Sequence, residues 1–98
     1  MDRTERELLA WDKVERAADV LRAVAHPVRL KIVELLEGGE MTVTQIQEAL
    51  GITQSMTSQQ LSIMKSRGVL KARRNGKSVH YSVERPEVIH VINCLKES

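Results

Sequence analysis

The chain has 98 residues and a formal net charge of +2, and Trp11 and Tyr81 are its only aromatic residues. Such a length bounds it to one domain, expected to span residues 1–98 around a modest aliphatic core of the kind that often gains stability by dimerising. The opening Met1 to Trp11 is charged, no run approaches the roughly 20 apolar residues of a membrane span, and the single cysteine, Cys94, excludes an internal disulfide or a multi-thiolate zinc site within one chain; a cytoplasmic protein without a secretory or lipidation signal is expected.

Leu8, Trp11, Val14, Ala18 and Leu21 recur at helical spacing and predict a first helix from about Thr4 to Ala25. His26 and Pro27 interrupt it. Proline is well tolerated at a helix's first position, and Val28, Ile32, Leu35 and Leu36 continue a buried stripe until Gly38 and Gly39 stop the second helix. His26 is most simply a helix-boundary residue, with a titrating or ligand role as the alternative. Thr42 with Gln45 three residues later makes a capping box for a short third helix ending near Gly51. Thr53 is an N-cap for a fourth helix reaching Arg67, and Gly68 can close it. This spacing is that of a helix-turn-helix.

The fourth helix and the charge pattern point toward duplex DNA. No Asp or Glu occurs between Glu48 and Glu84, while Lys65, Arg67, Lys71, Arg73, Arg74 and Lys77 give that stretch a net +6. Ten of the thirteen carboxylates lie at or before Glu48, so the chain is bipolar. With Thr57, Leu61 and Met64 facing inward, the outward face of the helix displays Gln54, Ser55, Ser58, Gln59 and Ser62, followed by Lys65. Glutamine can bond adenine N6 and N7 in a bidentate way, serine permits close approach, and a helix N-terminus favours phosphate. A merely solvated face is the alternative, but it would normally carry Glu, Lys or Arg earlier along the helix.

Asn75-Gly76 is a strong type I′ hairpin signal, and centring the turn there pairs Ala72 with Val79 and Leu70 with Tyr81 on an apolar face, with Lys71 opposite His80 and Arg73 opposite Ser78 on the other. Arg73, Arg74, Asn75 and Lys77 crowd the tip, where they suit phosphate or minor-groove contact. His80 reads as a surface strand residue. The last helix begins near Pro86 and runs to about residue 97. Its Val88, Ile89, Val91, Ile92, Cys94 and Leu95 cover an apolar arc of roughly 220°, well beyond the stripe of a surface helix. So wide an arc predicts a two-fold homodimer, with Leu8 and Trp11 of the first helix and Val88, Val91, Ile92 and Leu95 of the last at its interface. The expected fold is mostly α with a small β-hairpin: four helices, two strands and a fifth helix in a dimeric winged helix-turn-helix.

The segments LRAVAHPVRLKIVELL, MTVTQIQEALGITQSMTSQQL and GVLKARRNGKSVHYSV, together about Leu21 to Val83, resemble the ArsR/SmtB family of bacterial transcriptional repressors. The resemblance implies a dimer whose first and last helices form the interface and whose recognition helices enter major grooves of an imperfect inverted repeat. It implies base contacts from Gln54, Ser55, Ser58 and Gln59, and backbone or minor-groove contacts from Arg73, Arg74 and Lys77. Gln60 stands where the family usually has His.

Other departures concern sensing. The family's Cys-x-Cys metal pair at the start of the third helix is replaced here by Thr42 and Thr44, and its Asp-x-His pair near the start of the last helix by Arg85 and Glu87, so no metal or other cofactor is expected. Redox and sulfur-responsive members use two cysteines, whereas this chain has Cys94 alone. His90 and Cys94 share a helix face and are the candidate sensor residues, through a metal site shared across a dimer, an intermolecular Cys94–Cys94 bond or thiol oxidation; burial of Cys94 in packing is the simpler account.

The resulting expectation is a homodimeric repressor that binds operator DNA by sequence and occludes a promoter, independent of metal. Its effector, if it has one, is a small molecule, a redox agent or a protein. A winged-helix protein-interaction module is the alternative, discriminated by salt, because phosphate contacts make log K fall with log salt. No enzyme is expected: His26, His80 and His90 fall on separate elements, and no nucleophile–base signature or glycine-rich phosphate loop is present.

Overall fold

The computed structural model describes residues 7–97. The elements run α1 (Trp11–Val24), α2 (Pro27–Leu36), β1 (Met41–Thr42), α3 (Val43–Leu50), α4 (Gln54–Ser66), β2 (Leu70–Asn75), β3 (Ser78–Val83) and α5 (Glu87–Lys96). The strands form an antiparallel sheet in the order β1-β3-β2.

The helix boundaries follow from local chemistry. His26 is the N-cap of α2, its Nδ1 accepting from the Val28 amide at 3.1 Å with Pro27 at the first helical position. The capping box at α3 is complete: Thr42 Oγ1 accepts from the Gln45 amide at 3.2 Å, and Gln45 Oε1 accepts from the Thr42 amide at 2.9 Å. Gly51 closes α3 at φ 67°, a left-handed conformation that costs glycine little.

The first helix is shorter than its apolar spacing suggests. Thr4 to Arg6 lie outside the described residues, and the chain from Glu7 to Ala10 is not helical. Leu8 and Leu9 are 86% and 67% exposed, so no tertiary contact supports a helical turn there, and Ala10 supplies no capping side chain.

The hairpin register also differs from the expected one. Leu70 pairs with Val83, Ala72 with Tyr81, Arg73 with His80 and Asn75 with Ser78. The two-residue loop is therefore Gly76-Lys77, with Gly76 at φ 64° in the first loop position, where a type II′ turn wants glycine. A type I′ turn centred on Asn75-Gly76 would require a positive φ at Asn75, which it does not have. The shift moves each partner by two residues, so every side chain keeps its face. It also places Val83 opposite the buried Leu70. Strand β1 has no counterpart in the sequence reading; two residues long, it pairs Met41 with Tyr81 and Thr42 with His80.

The core is aliphatic. Ala23 and Val24 of α1, Ile32, Val33 and Leu36 of α2, Ile46 of α3, Leu61 and Met64 of α4, Val69 and Leu70, and Val88 and Ile92 of α5 form one buried cluster. Val88 and Ile92 thus correct the expected interface: at 1% and 5% exposure they face the protomer's own core and have almost no area left for a second chain. Val91 remains partly exposed, while Leu95 at 57% and Trp11 at 81% stay open. Among the described residues no helix is long and apolar enough to cross a membrane.

Candidate nucleic-acid interface

Helix α4 separates its faces sharply. Thr53 Oγ1 caps its first turn by accepting from the Met56 amide at 3.0 Å. Thr57 Oγ1 donates to the Thr53 carbonyl at 2.8 Å, which satisfies a hydroxyl that is fully buried. Thr57, Gln60, Leu61 and Met64 make the buried face. On the opposite face Gln54, Ser55, Ser58, Gln59, Ser62 and Lys65 are all exposed. No intramolecular side-chain bond with another described residue engages them, so their donors and acceptors are available to a ligand. Met56, 38% exposed, adds an apolar group to the same helix.

The hairpin carries the cations beside this helix. Arg74, Asn75 and Lys77 are exposed at its tip, and neither Arg74 nor Lys77 makes an ion pair among the described residues. Arg73 differs. Its guanidinium donates to Oε1 of Glu40, in the loop before β1. That hydrogen bond is the main reason the Glu40 carboxyl titrates below its ordinary range, and Arg73 is raised in turn. His80 Nδ1 lies 4.0 Å from the same carboxylate oxygen, and Lys71 Nζ lies 3.6 Å from Glu84 Oε2. Of the six cations between Glu48 and Glu84, Lys71 and Arg73 are therefore paired with acids from outside the stretch, which leaves Lys65, Arg67, Arg74 and Lys77 without an acidic partner among the described residues.

In the sequence Gln60, on the buried face of α4, stood out only as a departure from the family pattern, and Glu40 did not stand out at all. Positions 57, 60, 61 and 64 follow the i, i+3, i+4, i+7 rule, so periodicity alone places Gln60 inside. Glu40 had no such signal, since only the three-stranded sheet brings it to Arg73 from 33 residues away.

The expected sensor residues sit on α5, far along the chain from this surface. His90 and Cys94 are both exposed in the protomer, so the burial expected for Cys94 is not supplied by its own fold. Arg85 and Glu87 bond each other, Nε to Oε2 at 3.1 Å. Among the described residues no three His, Cys, Asp or Glu side chains are grouped as a metal site would need. Between α1 and α5 runs an open groove of about 420 Å³, its apolar lining supplied by Ala17, Val20, Leu21 and Val91.

The chain resembles known proteins along most of its length. A model of bacterial regulatory proteins of the arsR family matches residues 26–72. The transcriptional repressor PagR of Bacillus anthracis is 42% identical over 88 residues, covering 89% of this chain and 88% of PagR. Its crystal structure superposes with a TM-score of 0.78 at 40% identity, over 88% of this chain and 99% of that one. The biofilm growth-associated repressor of Xylella fastidiosa is 33% identical over 97 residues, covering 96% of this chain and 85% of its own. The homodimeric winged helix-turn-helix DNA-binding domain Mb0332 of Mycobacterium bovis superposes with a TM-score of 0.73 at 28% identity, over 93% of this chain and 87% of that domain.

Proposed function

Since the chain belongs to the arsR family of bacterial regulatory proteins and is a DNA-binding transcriptional regulator rather than an enzyme, we propose that it acts in the cytoplasm as a homodimeric, metal-independent repressor that occludes a promoter by binding an imperfect inverted repeat. The observation that carries this reading is the outward face of α4, where six exposed polar or basic side chains stand clear of internal bonds and no acid interrupts them. Gln54, Ser55, Ser58 and Gln59 read base edges in a major groove, with Ser62 and Lys65 continuing toward the backbone. Arg74 and Lys77, flanking Asn75, take the adjacent phosphates or minor groove, and Arg73 joins them by exchanging Glu40 for phosphate.

Repression of a two-fold operator needs two reading heads about one helical turn, roughly 34 Å, apart. The exposed Leu8, Trp11 and Leu95, with the apolar groove between α1 and α5, support association through these helices. PagR and the Xylella protein are named repressors, and Mb0332 is a homodimer. Thr42 and Thr44 supply no thiolate, Arg85 supplies no ligand and the Glu87 carboxylate is bonded to Arg85, so relief of repression falls to a small molecule, a thiol-directed agent at Cys94 or a protein effector.

Selection of fragmented genomic DNA by the purified protein, with an Arg74→Ala/Lys77→Ala variant in parallel, tests this reading. Enrichment of an inverted repeat, lost in the variant, is the expected result. Failure of the wild type to enrich any sequence, with binding to its partners insensitive to salt, would favour a protein-interaction module instead.

A further inference from the structure

Gln60 is a buried amide on the inner face of the reading helix, 6% exposed among Thr57, Leu61 and Met64. Its Oε1 accepts from Arg29 Nε of α2 at 2.8 Å, and its Nε2 lies 3.7 Å from Met56 Sδ, one turn earlier. The same guanidinium reaches back to α1, where Arg29 Nη1 lies 3.4 Å from the Ala23 carbonyl. Among the described residues no carboxylate pairs with Arg29, so its part-buried charge is satisfied by these oxygens.

We propose that the Arg29–Gln60 bond is the positioning device of the reading helix: it fixes the roll of α4 about its own axis and ties that roll to α1. The proposal rests on α4 being the base-reading element. Leu61 and Met64 pack without direction, and burial of their aliphatic surface is satisfied about equally by small rotations of the helix. A charge-assisted hydrogen bond is directional and tolerates little displacement. A roll of about 15° would move a side-chain atom lying about 6 Å from the helix axis by roughly 1.5 Å, half a hydrogen-bond length. The outward Ser58 and Gln59 would then miss their base edges while phosphate contacts, which reach further and are less directional, would survive. An apolar residue at position 60 would fill the space without the desolvation cost of an amide, so direction is what the amide adds. Because Arg29 also holds the last turn of α1, a shift of α1 reaches the reading face through one side chain.

The test is selection from a randomised duplex pool by wild type, Gln60→Leu, Gln60→Glu and Arg29→Met, followed by affinity measurements on the wild-type consensus and on a scrambled duplex. Gln60→Leu and Arg29→Met are expected to keep their affinity for the scrambled duplex and to lose roughly tenfold or more in discrimination, the worth of one misaligned base contact. Gln60→Glu, which keeps the acceptor for Arg29, is expected to retain discrimination. Unchanged discrimination in either disrupting variant, or a parallel fall on both duplexes, overturns the proposal. Should Gln60→Leu fail to fold, as thermal melting would show, Arg29→Met decides by the same criterion, and if neither folds the bond is a stability element and the proposal fails. A wild type that enriches no consensus would instead sink the reading of α4 as the base-reading helix.

Discussion

Glu40 and Arg73 are bonded across the sheet, so the hairpin arginine that lies deepest in the strand is already held by a carboxylate of the same chain. Under the proposed wing contact, Glu40 competes with DNA for Arg73. In Glu40→Gln that competition weakens, and binding to every duplex is expected to tighten whatever its sequence. Each newly engaged phosphate adds about 0.9 to the slope of log K against log salt, or about 2 for a dimer. Anisotropy titrations at several salt concentrations read both quantities; weaker binding would show that Glu40 orients Arg73 toward DNA instead.

The same pair sets a pH dependence. The Glu40 carboxyl, held down chiefly by the Arg73 hydrogen bond, titrates below its ordinary 4.5 in the folded protein. A depressed carboxyl contributes stability that is fully present above the ordinary value and is lost as pH falls through the lowered one. The difference in melting temperature between wild type and Glu40→Gln is therefore expected to shrink as pH falls below about 4.5. A difference that grows below that pH would contradict this assignment.

The proposed base-reading and backbone-contacting residues are expected to separate by mutation. Gln59→Ala is expected to cost on the order of 1 to 3 kcal/mol per half-site on the preferred sequence and much less on random DNA. Arg74→Ala is expected to weaken all sequences alike and flatten the salt slope by about 2 for a dimer. Equal losses for Gln59→Ala on both duplexes would remove it from the base-reading set.

The N-cap of α4 holds the reading helix at its start. Thr53→Ala loses the bond to the Met56 amide and is expected to destabilise the fold by about 1 kcal/mol in urea unfolding, with Thr53→Ser recovering most of it. No loss in Thr53→Ala would mean that water caps the helix equally well.

Trp11, the only tryptophan, is 81% exposed and reports on association. If α1 and α5 form the dimer interface, its emission is expected to shift to the red on dilution, and Leu95→Glu is expected to sediment as a monomer at concentrations where the wild type is a dimer. A monomeric wild type would require another arrangement of the two reading heads.

Local chemistry was enough to determine the helix-turn-helix. The His26-Pro27 start, the Thr42–Gln45 box, Gly51 and the Thr53 cap act within a few residues of themselves, so α2, α3 and α4 were legible in the sequence, as were the polar outward face of α4 and the basic hairpin. Long-range pairing decided the rest. Turn propensity favoured Asn75-Gly76, but sheet pairing opposite Leu70 set the register at Gly76-Lys77. An apolar arc on α5 announced burial without saying against what, and the core claimed Val88 and Ile92 while leaving Trp11 and Leu95 outside. Charge counted along the chain gave an uninterrupted +6, yet folding brought Glu40 and Glu84 to Arg73 and Lys71, because ion pairs form between neighbours in space, and sequence distance does not limit them.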